Sequence, residues 1–153
     1  MLTFDAHLDL SLNALEWNRD LRLELGDIRA AEVGKTDLGG RGRGTVCFPE
    51  MRRGGVGICV ATQLAGCMKP PGPVGSWESP AQAWATTQGQ LAWYRAMEEA
   101  GELRQVTTGP ELREHLRAWT DAPQTAPIGY ILSLEGADSL IDVSYLERAH
   151  GCG

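Results

Sequence analysis

No stretch of this 153-residue chain is apolar for anything near the ~18 residues that a membrane-spanning helix requires, so no transmembrane helix is expected. Basic residues are also in short supply: 14 Lys and Arg face 20 Asp and Glu, a formal net charge of −6. A nucleic-acid backbone is bound through clustered Lys and Arg, so no nucleic-acid partner is expected, and a small neutral or zwitterionic one fits better. No Cys-x-x-Cys pair occurs. The four cysteines, at 47, 59, 67 and 152, match no compact zinc spacing. A single domain of this size can bury roughly 70% of its unfolded surface without covalent staples, so four free, mostly buried thiols are expected. The opening Met-Leu-Thr-Phe-Asp-Ala-His has neither the basic segment nor the apolar segment of a secretory signal, and cytoplasmic residence is the default. A homo-oligomer is left open.

What the chain does contain is a repeating strand-then-helix pattern. Residues 2 to 9 alternate, with Leu2, Phe4, Ala6 and Leu8 on one face and Thr3, Asp5, His7 and Asp9 on the other, which predicts a strand with a polar face. Leu10 to Leu25 suggests broken helical structure ending at Gly26. Gly39 to Gly44 alternates Gly and Arg; it lacks the Gly-Lys-Ser/Thr ending of a nucleotide loop, so it reads as a flexible connection. Gly55 to Leu64 reads as a buried parallel strand, and Lys69 to Pro73 as a loop.

Ser79-Pro80 marks a helix start and Gly101 its stop, with Trp84, Leu91, Tyr94 and Met97 as the predicted apolar stripe. A second helix, Pro110 to Trp119, would bury Leu112, Leu116 and Trp119 and leave His115 solvated or capped. Ile128 to Glu135 is the clearest strand. Asp142 to His150 then reads as a short helix with Val143, Leu146 and Ala149 inward and His150 capping its end. Strands too far apart for hairpins and separated by helices predict a parallel α/β architecture.

Residues two apart in a strand share a face, so His7 and Asp9 present an imidazole and a carboxylate together at the end of the first strand. Glu135 ends the last strand in the same way, with Ser133 and Gly129 sharing its parity. In parallel α/β proteins the carboxyl ends of the strands face the active site. A His, an Asp and a Glu at one rim form a nitrogen and oxygen ligand set suited to Zn²⁺ or a similar divalent ion. The competing reading is that each carboxylate caps the helix that follows it.

Three short motifs point further. Asp5-Ala6-His7-Leu8-Asp9-Leu10 resembles the Asp-(Gly/Ala)-His-x-Asp-Leu opening of the renal (membrane) dipeptidase family, the M19 metallopeptidases. Arg52-Arg53-Gly54-Gly55-Val56-Gly57 is similar to that family's Arg-x-Gly-Gly-Val-Gly approach to the second strand, and Leu132-Ser133-Leu134-Glu135-Gly136 to its Leu-x-(Ile/Leu)-Glu-Gly signature. The motifs occur in the family's order across nearly the whole chain.

The resemblance implies a (β/α)₈ TIM-type barrel of the metal-dependent hydrolase kind, with two zinc ions and dipeptide substrates cleaved through a metal-bridging hydroxide. His7 and Asp9 would bind one ion and Glu135 would bridge both. The family's later metal-ligand histidines, its substrate-binding histidine and arginine and its late aspartate have no counterpart here, since His115 and His150 fall on predicted helices. Ala137-Asp138 also stands where the family commonly has Gly after Glu-Gly. A full barrel needs ~250 residues, so residues 1–153 are expected to form a single incomplete barrel domain of about three βα units, inactive alone. Two alternatives remain: another amidohydrolase-type metal hydrolase on the same barrel, or a small non-catalytic α/β binding module in which His7, Asp9 and Glu135 are surface polar groups.

Overall fold

The computed structural model describes residues 1–68 and 75–152, which leaves the predicted loop from Lys69 to Pro73 outside the described residues. Strand β1 (Thr3–Leu8) leads into three short helices, α1 (Leu10–Glu16), α2 (Leu25–Ala31) and α3 (Phe48–Arg53), and then β2 (Val56–Leu64). Two-residue strands β3 (Gly66–Cys67) and β4 (Ser76–Trp77) pair with each other. The order is completed by α4 (Pro80–Glu99), β5 (Leu103–Gln105), α5 (Gly109–Asp121), β6 (Ile128–Glu135) and α6 (Ser144–His150). Strands β1, β2, β6 and β5 lie side by side in one open, parallel sheet. The mixed α/β architecture with a parallel sheet is the expected one. β5 was not anticipated, because three residues are too few to show a period.

Helix α4 begins where expected: the Ser79 side chain accepts from Gln82 N–H, Pro80 supplies the first turn, and Gly101 follows the end at φ +75°. Its buried face is displaced from the predicted stripe, however, running through Ala83, Thr87, Gln90 and Tyr94, while Trp84, Leu91 and Met97 are half-buried. The reason is hydrogen bonding. Gln90 takes Leu64 N–H on its Oε1 and donates Nε2 to Leu64 O, both at 2.8 Å, and Gln63 Nε2 donates to Thr87 O. Buried amides therefore tie the helix to the carboxyl end of β2, where unpaired backbone would be costly. Below them, Tyr94 stacks on Tyr130 of β6 with centroids 5.1 Å apart, beside Phe48, Cys59, Ala61 and Leu103 in the core. Ile131, the next residue in β6 and so on the opposite face, is exposed, as is Phe4 of β1.

Helix α5 lies across the amino ends of β2 and β6. His115, expected to be solvated or capped, is instead buried at 1% exposure, and its Nε2–H donates to Gly57 O at 2.8 Å. It replaces Leu112 and Leu116, both half-buried, as Trp119's inward partner. Gly129 is small for the same reason: a Cβ there would sit 2.6 Å from His115 Nε2. Overpacking of this kind costs roughly 1–3 kcal/mol, so Gly129→Ala should lower the urea midpoint accordingly; an unchanged midpoint would show that α5 is free to move away.

Two other expectations are corrected. Gly26 does not end a helix but lies in the first turn of α2. Val143 and Leu146 of the last helical segment are exposed rather than inward, because among the described residues little more than the edge-on contact of Trp84 with Tyr145 lies against α6.

The Gly39–Gly44 connection is anchored rather than flexible. Glu32, 4% exposed, receives Arg19 Nε and Nη2 at 2.8 and 3.0 Å, Arg41 Nη1 at 2.9 Å and the Gly42 N–H at 2.7 Å. Arg41 also grips Asp37, and Arg19 Nη2 reaches Gly40 O. Two cations and two anions thus fix a glycine-rich segment that sequence pattern alone gives no reason to call ordered. The thiols are free, as expected, with Cys47 and Cys59 buried. Burial pushes the Cys59 thiol up to about 12, so it is an inert core group.

Candidate metal centre

Strand β1 does not run in even register along β2: its pairing shifts between Asp5 and Leu8. Within that irregular stretch the His7 N–H donates to Asp5 Oδ1 at 3.0 Å. The depressions that His7 and Asp5 line adjoin one another, sharing Leu8, Thr45 and Val46. His7 and Asp9 come together as expected.

Parallel pairing of β1, β2 and β6 puts the end of β1 and the end of β6 at the same rim of the sheet. His7 Nε2 is 3.4 Å from Asp9 Oδ1 and 3.2 Å from Glu135 Oε2, and one ligand atom from each residue lies within 4.8 Å of the others. Donors ~2.1 Å from a tetrahedral zinc stand about 3.4 Å apart, so the two spacings from His7 Nε2 are of the size of such an edge. The set is one imidazole nitrogen and two carboxylate oxygens, half-exposed at the rim. Such a three-ligand group fits a divalent ion and leaves a coordination position open to solvent or substrate.

The capping alternative finds no support in the geometry. Asp9 occupies the position before α1, yet its side chain makes no cap hydrogen bond; instead it accepts from the Thr62 hydroxyl of β2. Glu135 is followed by no helix until Ser144. Neither Thr62 nor Asn13, whose Nδ2 donates to Asp9 O at 2.9 Å, stands out in the sequence. The signal for Asn13 was its spacing of four from Asp9 at a helix start, and for Thr62 its place, with Gln63, as one of two polar residues near the carboxyl end of a largely apolar strand. Beside the cluster an open cleft of about 400 Å³ is lined by His7, Asp9, Leu12, Trp17 and Arg43.

A parallel α/β sheet that gathers a His, an Asp and a Glu at the carboxyl ends of its strands places them where proteins of this architecture keep their active sites. Among solved structures the chain is similar to one described as the crystal structure of dipeptidase AC, a metallo peptidase of family M19, with a TM-score of 0.65 and 21% identity. The match covers all of this chain and 40% of that one, so the chain spans less than half the neighbour's length. At this identity the likeness is one of fold. No family model and no curated protein matches the chain.

Proposed function

We propose that His7, Asp9 and Glu135 hold zinc and that this chain is the amino-terminal part of an M19-type dipeptidase built on a (β/α)₈ barrel. The observation that carries the reading is the convergence of the three side chains, drawn from strands about 130 residues apart, at distances that suit one ion. The fold likeness to a metallo peptidase supports it independently. So does the sheet itself: β5 pairs with β6 only at Ile128 to Tyr130, and among the described residues no other strand follows that edge of Ile131 to Glu135. Further βα units would pair that edge and cover Ile131 and Phe4.

A zinc ion bound there would lower the pKa of its water to about 7 and polarise a peptide carbonyl. The chain's own residues supply the rest. His7 offers Nε2 toward both carboxylates, Asp9 is held by Thr62, and the open cleft leaves the cluster reachable by a small substrate. Bridging of two ions by Glu135 belongs to this reading, and groups gripping the ends of a dipeptide would come from the further units.

Zinc content and turnover test the reading together. The parent protein should copurify with zinc, hydrolyse dipeptides and leave lactones and cyclic amides intact, and His7→Ala should remove both metal and activity. A folded parent that holds no zinc and ignores dipeptides would overturn it.

A further inference from the structure

The buried ion network beside the glycine-rich segment and the candidate metal centre are connected. Asn13 spans the gap: its Nδ2 donates to the Asp9 carbonyl at 2.9 Å, and its Oδ1 accepts from Arg19 Nη1 at 2.7 Å. Arg19, 8% exposed, is in turn fixed by two hydrogen bonds to Glu32. A continuous series of hydrogen bonds therefore runs from Asp9 through Asn13 and Arg19 to Glu32 and on to Arg41 and Gly42. Burying a carboxylate with two guanidinium groups gives little net stability over an apolar core, so its presence next to the cluster calls for a role in specifying geometry.

We propose that Asn13 is a positioning residue, through which the Arg19–Glu32–Arg41 network sets the backbone of Asp9 and so the affinity of the His7, Asp9, Glu135 site for zinc. The inference rests on the metal reading above. The Asp9 carbonyl, where the strand register has just shifted, accepts both the Asn13 backbone N–H at 3.0 Å and Asn13 Nδ2 at 2.9 Å, while its side chain makes no cap and accepts from Thr62. Asn13 supplies the restraint one helical turn on, and Arg19 holds the Asn13 amide in the single orientation that presents Nδ2 to the Asp9 carbonyl, because a guanidinium can only donate. Partners of this kind behind metal ligands change affinity by ~10–100-fold.

The test is a double-mutant cycle on the parent protein with Asn13→Ala and Glu32→Gln, read by competitive zinc titration and by amide NMR signals without metal. Each variant is first shown by urea unfolding to be folded, because Glu32→Gln is itself destabilising. Asn13→Ala, which removes only two hydrogen bonds of a half-buried side chain, should stay folded and weaken zinc binding by ~10–100-fold. Adding Glu32→Gln to Asn13→Ala should then weaken it little further, because the connection is already cut. Without metal, Glu32→Gln should shift the His7 and Asp9 amides only when Asn13 is present. Wild-type zinc affinity in a folded Asn13→Ala chain, or independent multiplying effects, would overturn the proposal. If the folded wild-type parent binds no zinc, the metal reading fails, and unshifted His7 and Asp9 amides in a folded Glu32→Gln variant would separately refute the connection.

Discussion

Glu135→Gln should leave the parent protein folded, strip it of tightly held zinc and lower dipeptide hydrolysis by several orders of magnitude. Glutamine keeps the size of the side chain and gives up its charge, so two divalent ions a few ångströms apart would repel one another with less compensation, and at least one would be lost. An outer partner of a ligand would give only ~10–100-fold. If Glu135 is merely an exposed ion-pair partner of His7, at 3.2 Å, its loss would change stability by less than ~1 kcal/mol and leave turnover intact. Metal analysis and rates on the same preparation separate the outcomes, and full zinc content with a near wild-type rate would end the bridging assignment.

The second large effect concerns Glu32 and pH. Hydrogen bonds from Arg19 above all, with Gly42 N–H and Arg41 adding to them against the penalty of burial, hold its carboxyl at about 2 instead of the usual 4.5. A lowered folded-state pKa means that the stabilisation is complete above the unfolded value, ~4.5, and is lost as pH falls toward 2. At neutral pH Glu32→Gln, which leaves two buried guanidinium groups short of an anion, should destabilise the chain by roughly 3–5 kcal/mol. The gap between wild type and variant in urea unfolding should then narrow steadily between pH 4.5 and 2. A gap that is constant over that range would mean that Glu32 is not the ionised centre of the network.

The long strands and the three rim residues were legible in the sequence because each announces itself locally. Alternation in residues 2 to 9, the apolar run to Leu64 and the run ending at Glu135 are period signals, and His7, Asp9 and Glu135 stand at strand ends. What was not legible depends on groups far apart in the chain. His115 belongs to the core because Gly129 leaves room for its ring and the Gly57 carbonyl accepts from its Nε2–H, a complementarity no helical pattern encodes. Gln90 and Thr87 are buried because β2 ends beside them, so a polarity rule places them on the wrong face of α4. The Gly39–Gly44 segment looks mobile by composition, and its order comes from Glu32, a residue of an earlier turn. The register shift between Asp5 and Leu8 is likewise something that ideal alternation ignores.

The position of β2 between β1 and β6 has a consequence for how the chain assembles during synthesis. β1 leaves the ribosome first, but its partner residues in β2 follow about 50 residues later, and β6 is some 70 residues beyond β2. At ~5–20 residues per second, β1 waits roughly 3–10 s before it can pair at all. During that interval its polar alternation, with Thr3, Asp5, His7 and Asp9 among the apolar residues, keeps the nascent segment from being a uniformly sticky strand. The polar side chains that alternate along β1, His7 and Asp9 of the rim among them, would thus protect the first strand while it has no neighbour.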